Sequence, residues 1–146
     1  MKILFICHAN LCRSFMAQEI AKQLFPQATV FSRGLYVDPD LTIPSKVLQF
    51  LEKQQITASP HCPVQLTQED LKEADFVFCM EPEHLEKLSD QYAPYMDKMW
   101  LLNDFAFGKE TAVEDPIGLS GKAFEKQAAL LQKAVTACVQ RIKQEN

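Results

Sequence analysis

The residues best suited to chemistry lie near the start of the chain, between positions 7 and 14. In order, they are Cys7, His8, Ala9, Asn10, Leu11, Cys12, Arg13 and Ser14. A thiolate is a strong nucleophile, and a planar guanidinium can hold two oxygens of one phosphoryl group at once. The spacing therefore indicates that Cys7 attacks phosphorus while Arg13 binds the phosphoryl oxygens.

The segments on either side of this stretch indicate how it binds an anion. Residues 2–7 are apolar after the first, which is typical of a strand buried on both faces. From Ser14 onward, apolar residues recur at helical spacing until Pro26. A loop between a strand and a helix can turn its backbone N–H groups inward, and the helix N-terminus adds a partial positive charge. We predict a phosphate-binding loop that also stabilises the Cys7 thiolate.

The rest of the chain alternates between strand and helix patterns. We predict further strands at 29–32, 75–80 and 99–102, and helices that begin near Ser45, after a capping threonine at Thr67, near Pro82 and near Lys122. The last helix, to about Lys143, has the clearest apolar face. This alternation predicts an α/β fold: a single three-layer domain over residues 1–146, with helices on both faces of a four-stranded parallel sheet in the order 2-1-3-4.

Composition excludes several classes of function. At 146 residues, 47% hydrophobic and 23% charged, the chain can bury a substantial core and is not disordered. Its net charge of −4 gives no reason to expect a nucleic-acid partner. The apolar runs are too short for a membrane span or a secretory leader, so no membrane partner is expected. Five cysteines, an odd number, favour reduced thiols and a cytoplasmic location. We expect a monomer without metal or cofactor.

Residues 6–17 resemble the low-molecular-weight protein tyrosine phosphatase family, in its bacterial form. Further matches in the family's order are Ser32-Arg33-Gly34, His61 with Gln65-Leu66-Thr67, Cys79-Met80-Glu81 and Glu114-Asp115-Pro116. The resemblance therefore spans nearly the whole chain. It implies that the protein hydrolyses phosphotyrosine in phosphorylated proteins, and other aryl phosphomonoesters, through a phosphocysteine intermediate. It also implies that phosphate and other oxyanions inhibit the reaction.

The resemblance implies a role for each catalytic residue. Cys7 is the nucleophile, Arg13 the phosphate clamp and Ser14 a hydroxyl that stabilises the thiolate. Asp115 is the general acid. The chemistry requires such an acid in any case, because the leaving oxygen needs a proton and the attacking water must later lose one. An Asp-Pro pair also occurs at Asp38, so the dipeptide alone does not identify the acid.

Asn10, Ser32 and His61 match family positions that, together with Ser14, brace the loop through hydrogen bonds. Asparagine tolerates the left-handed backbone that a tight loop requires. Without the family, His61 is equally well explained as an ordinary loop histidine. Cys12 resembles a second family cysteine that can pair with an oxidised nucleophile, and it is equally well explained as a small apolar filler.

The substrate pocket departs from the family at two positions. Ala9 stands where the family usually has glycine, which can adopt more backbone conformations. Ile117 follows the Asp-Pro pair, where eukaryotic members carry tyrosines that wall the pocket. Tyr36 is a candidate for the missing aromatic wall, or else an exposed loop residue. We expect Leu11, Tyr36 and Ile117 to line the pocket.

Three other functions remain open. Bacterial protein arginine phosphatases share this scaffold and chemistry, but they have threonine at the position of Leu11. Tyrosine phosphatases have a branched apolar residue there, so Leu11 favours phosphotyrosine. Arsenate reductases of this fold need two further cysteines, and only Cys79 lies in the corresponding region. A non-catalytic phosphoprotein-binding module would have no need of Cys7, Arg13 and Asp115 together.

Overall fold

The strand β1 (Lys2–Cys7) lies inside a parallel sheet, as its apolar sequence predicts. It pairs with β2 (Thr29–Gly34) on one side and with β3 (Phe76–Cys79) on the other, and β3 pairs with β4 (Met99–Leu101). The order β2-β1-β3-β4 confirms the prediction. The structure is a computed structural model, and it describes residues 1–145.

Helices cover both faces of this sheet. They are α1 (Arg13–Leu24), α2 (Ser45–Lys53), α3 (Gln68–Glu73), α4 (Pro82–Gln91), α5 (Leu102–Phe107) and α6 (Gly121–Glu145), with a 3₁₀ helix at Ala93–Lys98. Alternate residues of β1 point to opposite faces: Phe5 packs with α1 and α6, whereas Leu4 and Ile6 pack with α3 and α4. Burying a side chain such as Phe5 contributes about 2 kcal/mol. The three-layer arrangement is therefore built into the β1 sequence.

The predicted helices begin and end close to their observed limits. The capping box before α3 is present, because the Asp70 amide donates to Thr67 Oγ1 and the Thr67 amide donates to the Asp70 carboxylate. The predicted apolar face of α6 is buried; its residues are Phe124, Ala128, Leu131, Val135, Cys138 and Ile142. Both features confirm that local sequence patterns determine these helices.

The prediction was wrong at Leu102, which was placed in the fourth strand. Strand β4 ends at Leu101, and Leu102 begins the short helix α5, which the sequence pattern did not predict. Four consecutive apolar residues, from Met99 to Leu102, carry no signal that separates a strand end from a helix start. In the structure, Leu102 and Phe105 lie three residues apart, and both are buried under α6.

Two further features concern the chain as a whole. Among residues 1–145, no helix combines the length and the apolar character that a membrane span requires. All five cysteines are unpaired; Cys62 is exposed and the other four are buried.

Candidate active site

The loop that follows β1 forms an anion cradle at the carboxyl end of the sheet. Cys7 is the last residue of β1 and is only 3% exposed, and Arg13 is the first residue of α1. No side chain caps the N-terminus of α1, and its first turn carries no acidic residue. Backbone N–H groups at this end therefore carry a partial positive charge that no carboxylate of the helix offsets. The loop thus lies between β1 and α1, at the carboxyl end of the sheet.

Asn10 gives the loop its tight turn. Its φ is 58°, which is the left-handed conformation expected for this asparagine. Ala9 is not among the residues with positive φ, so it fits where the family usually has glycine. Gly34, the last residue of β2, is needed for close packing. A Cβ atom there would lie 3.0 Å from the carbonyl carbon of Ala9 and 2.8 Å from Cγ2 of Val37.

The Asn10 side chain is the centre of a buried hydrogen-bond network. Its Nδ2 donates to Ser14 Oγ at 2.8 Å and to Ser32 Oγ at 2.9 Å. Its Oδ1 accepts from the Val64 amide at 3.0 Å and lies 3.1 Å from Nε2 of His61. Because the Val64 amide can only donate, the orientation of the Asn10 amide is fixed, and His61 must donate from Nε2. All four predicted bracing residues meet here.

Gln18 and Phe15, both in α1, contact this network through Ser32 and His61. Ser32 Oγ donates to Gln18 Oε1 at 2.7 Å, a contact that the sequence did not predict. The only signal for it was a glutamine one helical turn after Ser14. The His61 ring stacks on Phe15, with ring centroids 4.5 Å apart. Burial lowers the pKa of His61 despite its hydrogen bond to Asn10, so burial favours the neutral ring with its proton on Nε2.

Arg13 is held rigidly in a buried position. It is 3% exposed, and its Nη1 donates to Glu81 Oε1 and to the Val113 carbonyl oxygen, each at 2.8 Å. Its Nη2 lies 3.6 Å from Oδ2 of Asp115. A guanidinium fixed on one edge in this way presents its other nitrogens in a defined direction. The structure therefore brings Arg13 and Asp115 together, as predicted.

Glu81 holds Arg13, and His84 in turn contacts Glu81. The sequence-based prediction gave neither residue a role. His84 is buried, and its Nε2 lies 3.3 Å from Oε2 of Glu81. Burial is the main cause that lowers the pKa of His84, and the nearby Arg13 and His8 lower it further, against Glu81 and Glu83. The signal available in the sequence was position, because Glu81 follows the carboxyl end of β3, at the same sheet edge as Cys7.

Asp115 lies on an exposed loop next to the buried Arg13. Its side chain is 43% exposed, and its Oδ1 accepts from the Ile117 amide at 3.1 Å. Lys46 of α2 donates to the carbonyl oxygens of Ile117 and Leu119, which ties the loop to the domain. Ile117 is 41% exposed beside the acid. A tethered but exposed carboxyl can reach a leaving group outside the cradle.

The Tyr36 side chain stands beside the loop on another side. The Tyr36 amide donates to the His8 carbonyl oxygen at 2.8 Å, and the two rings lie 5.0 Å apart. The Tyr36 side chain is 46% exposed, so its ring is available to a ligand. Leu11 is only 4% exposed, and any contact with a substrate involves a small part of its side chain.

Two other buried thiols near the sheet, those of Cys12 and Cys79, are poorly suited to nucleophilic attack. Burial, with the charges of Asp115 and Cys7, raises the pKa of Cys12 to about 12. Burial alone raises the pKa of Cys79 to about 12. Both remain protonated near neutral pH, and a thiol is a far weaker nucleophile than a thiolate. Cys79 is completely buried in β3, which does not suit it to a disulfide relay.

The fold and this site together match one protein family. The chain belongs to the family described as low molecular weight phosphotyrosine protein phosphatase, whose model matches residues 2–146. The loop, the supporting network and the sheet order described above thus lie within a family whose members are named as phosphatases.

Individual relatives fall into two groups by their named activity. A crystal structure of a low molecular weight protein tyrosine phosphatase from T. tengcongensis is 32% identical, covers 97% of this chain and 99% of its own, and has a TM-score of 0.90. A protein-arginine-phosphatase of Bacillus subtilis is 26% identical over 99% of both chains. A structure of the arginine phosphatase YwlE, a C7S mutant with a phosphorylated active-site serine, is also 26% identical, with 98% and 96% coverage and a TM-score of 0.91.

Proposed function

We propose that this protein is a tyrosine phosphatase that hydrolyses phosphotyrosine and other aryl phosphomonoesters through a phosphocysteine intermediate. The observation that carries the proposal is the meeting of three groups at one end of the sheet. Cys7 Sγ lies 2.9 Å from the Ser14 hydroxyl, and the guanidinium of Arg13 lies 3.6 Å from the carboxylate of Asp115. Cys7 is the nucleophile, Arg13 is the phosphate clamp and Asp115 is the acid.

In the first step, the Cys7 thiolate attacks phosphorus in line with the leaving oxygen. The S–P bond forms as the O–P bond breaks, and Asp115 gives its proton to the departing phenoxide. Loop N–H groups and Arg13 bind the other three phosphoryl oxygens as charge redistributes among them. The phosphorylated serine of the related C7S enzyme supports phosphoryl transfer to this position of the loop.

In the second step, the Asp115 carboxylate takes a proton from water. The water oxygen bonds to phosphorus as the S–P bond breaks, which releases inorganic phosphate and returns Cys7 to the thiolate form. Ser14 stabilises that thiolate as a leaving group. The rate therefore peaks where a Cys7 thiolate and a protonated Asp115 coexist, which we expect below neutral pH.

The choice of substrate depends on the walls of the site. Leu11 and Ile117 are apolar, and Tyr36 offers the face of a ring, all of which suit an aromatic leaving group. The second candidate is a protein arginine phosphatase, which is favoured by the full-length similarity to the Bacillus subtilis enzyme. Leu11 argues against it, because its side chain cannot hydrogen-bond a phosphorylated guanidino group.

We further propose that the protein acts as a monomer on cytoplasmic phosphoproteins, and that phosphate competes with the substrate. Light scattering at micromolar concentration tests the oligomeric state. Competitive inhibition by phosphate and by vanadate tests the anion site, because both ions fit the same cradle. A mass of twice the chain, or inhibition that is not competitive, would contradict these statements.

The activity itself is tested with p-nitrophenyl phosphate in the presence of EDTA. We expect turnover by the wild type, none by Cys7→Ser, and normal turnover by the matched control Cys62→Ser, whose thiol is exposed. Phosphotyrosine and phosphoarginine peptides of the same sequence then test the substrate class, and we expect at least tenfold higher kcat/KM for phosphotyrosine. A folded wild type without turnover would indicate a binding module, and a preference for phosphoarginine would make the second candidate correct.

A further inference from the structure

A cavity opens beside the proposed active site. Its volume is about 340 Å³, and it lies between the segment that follows β2, the segment before α3 and the helix α4. The polar residues that line it are Tyr36, Gln65, Lys87, Gln91 and Tyr92. None of its lining residues is acidic, although the chain as a whole carries a net charge of −4.

The Tyr36 ring joins this cavity to the phosphate-binding loop. On one side, the ring lies 5.0 Å from the His8 ring, which belongs to the loop. Lys87 Nζ lies 4.0 Å from the centroid of the same Tyr36 ring. Gln65 also fixes this connection, because its Oε1 accepts from the Val37 amide and its Nε2 donates to the Leu35 carbonyl oxygen. The short segment from Leu35 to Val37 therefore sets the position of the cavity relative to the phosphate-binding loop.

Lys87 is a cation without an acidic partner. Within the described part of the chain, no carboxylate lies within 4.0 Å of its Nζ, although Glu83 and Asp90 lie on the same helix. Its ammonium group instead rests on the Tyr36 ring, an arrangement in which the cation stays free to bind an anion. Glutamine and tyrosine side chains around it can donate further hydrogen bonds.

We propose that this cavity is a substrate subsite that binds an acidic side chain two or three residues from the phosphorylated one, and that Lys87 determines this specificity. The inference rests on the proposed phosphatase function. An extended peptide advances about 3.3 Å per residue, so two or three residues span the width of one aromatic ring and its contacts. The cavity therefore extends recognition from the phosphoryl group to the surrounding sequence, through charge complementarity.

The test measures peptide binding to the Cys7→Ser variant, so that it does not depend on turnover. The two phosphotyrosine peptides have the same sequence except at the second and third positions from phosphotyrosine. One peptide carries Glu at both positions, and the other carries Gln. We expect about threefold to fivefold tighter binding of the Glu peptide at low salt, as for one exposed ion pair. Adding Lys87→Gln abolishes the difference, and adding Lys87→Glu reverses it. Lys126→Gln is the matched control, because Lys126 is exposed on α6, on the other face of the sheet.

The outcomes distinguish the subsite from the proposed function. Equal binding of the two peptides, or equal effects of Lys87→Gln and Lys126→Gln, would overturn the subsite. In an enzyme that keeps Cys7, Lys87→Gln should raise KM for the Glu peptide more than it raises KM for the Gln peptide. Absence of wild-type turnover, with the binding difference intact, would refute the phosphatase function and retain the subsite for acidic phosphopeptides.

Discussion

Ser14 Oγ lies 2.9 Å from Cys7 Sγ, and Nδ2 of the Asn10 side chain donates a hydrogen bond to the same oxygen at 2.8 Å. The amide occupies one lone pair of the hydroxyl oxygen. The single hydroxyl proton is then free to point at sulfur and to stabilise a thiolate. A thiolate that is stabilised in this way is both ready for attack and a good leaving group in the second step.

Ser14→Ala should therefore slow both chemical steps. We expect kcat to fall about 10-fold to 100-fold, with a small change in KM, because a hydrogen bond to a charged group contributes about 1.5–3 kcal/mol. Alkylation of Cys7 by iodoacetamide should slow as well, because the sulfur loses the hydrogen-bond donor that stabilises its negative charge. Ser89→Ala, an exposed position on α4, is the control. An unchanged kcat in Ser14→Ala would show that the hydroxyl plays no part.

A second prediction separates backbone strain from hydrogen bonding. Asn10 and Gln55 both have a left-handed backbone, with φ of 58° and 63°, but only Asn10 lies in the buried network. Asn10→Gly keeps the backbone conformation and removes the network, so we expect a loss of about 2–4 kcal/mol in unfolding free energy and a large fall in kcat.

The Gln55→Gly variant is the matched control for that loss. Glycine adopts the left-handed region without steric cost, so this variant should keep or slightly raise the stability and keep the full kcat. Urea unfolding and p-nitrophenyl phosphate turnover measure both quantities. Equal effects of the two substitutions would contradict a special role for the Asn10 side chain.

The sequence predicted the sheet and the loop because both depend on local patterns. An apolar run such as β1, bounded by a loop, is typical of a strand buried on both faces, and the strand order places Cys7 at the carboxyl edge of the sheet. Asp115 and His61 were assigned through the family resemblance, and the structure brings both of them to the loop. Their separation from Cys7 along the chain leaves no local signal for either.

What the sequence could not predict are contacts between side chains that lie far apart in the chain. Glu81 meets Arg13 only because β1 and β3 are neighbours in the sheet. The same holds for Lys87 and Tyr36, whose contact depends on how α4 lies against the segment that follows β2. The α5 helix was missed for another reason: its first residue, Leu102, continues the apolar run of β4, so the sequence marks no boundary between the strand and the helix.

The Glu81 carboxylate should control how precisely Arg13 is positioned. Arg13 is nearly fully buried, and Glu81→Ala removes the acceptor of one Nη1 hydrogen bond and the charge that balances the guanidinium. We expect kcat/KM to fall about 10-fold to 100-fold and phosphate to inhibit more weakly. Glu81→Gln keeps an acceptor, so it should recover part of both. If alanine and glutamine variants both match the wild type, the Val113 carbonyl oxygen alone suffices to hold Arg13.

His84 should make the stability depend on pH between about 7 and 5. Burial lowers the pKa of His84 below its ordinary value of 6.5, so the unfolded chain takes up a proton at a pH where the folded chain does not. Protonation then favours unfolding, and the unfolding free energy should fall as the pH drops below 6.5. In His84→Gln this fall should be smaller, and His61 contributes to the part that remains, because its pKa is lowered in the same direction. Urea unfolding at pH 7.5 and pH 5.0 measures this fall in both proteins. An equal fall in the unfolding free energy of the wild type and of His84→Gln would contradict a neutral, buried His84.

Asp115→Asn tests the general acid through its dependence on the leaving group. An amide cannot donate the proton that a strongly basic leaving group needs, so hydrolysis of phenyl phosphate should fall about 100-fold to 1000-fold. Hydrolysis of p-nitrophenyl phosphate should fall less, because p-nitrophenolate leaves more readily without a proton. Asp38→Asn is the matched control, since Asp38 also precedes a proline and is exposed.

The same variant tests the role of Asp115 as the base of the second step. Without a carboxylate to take a proton from water, hydrolysis of the phosphocysteine should become the slow step for p-nitrophenyl phosphate. Rapid mixing should then show a burst of p-nitrophenol close to one equivalent per enzyme, and mass spectrometry of the quenched protein should find one phosphate on Cys7. A slow release without a burst, or equal losses for the two substrates, would place the acid and the base on a residue other than Asp115.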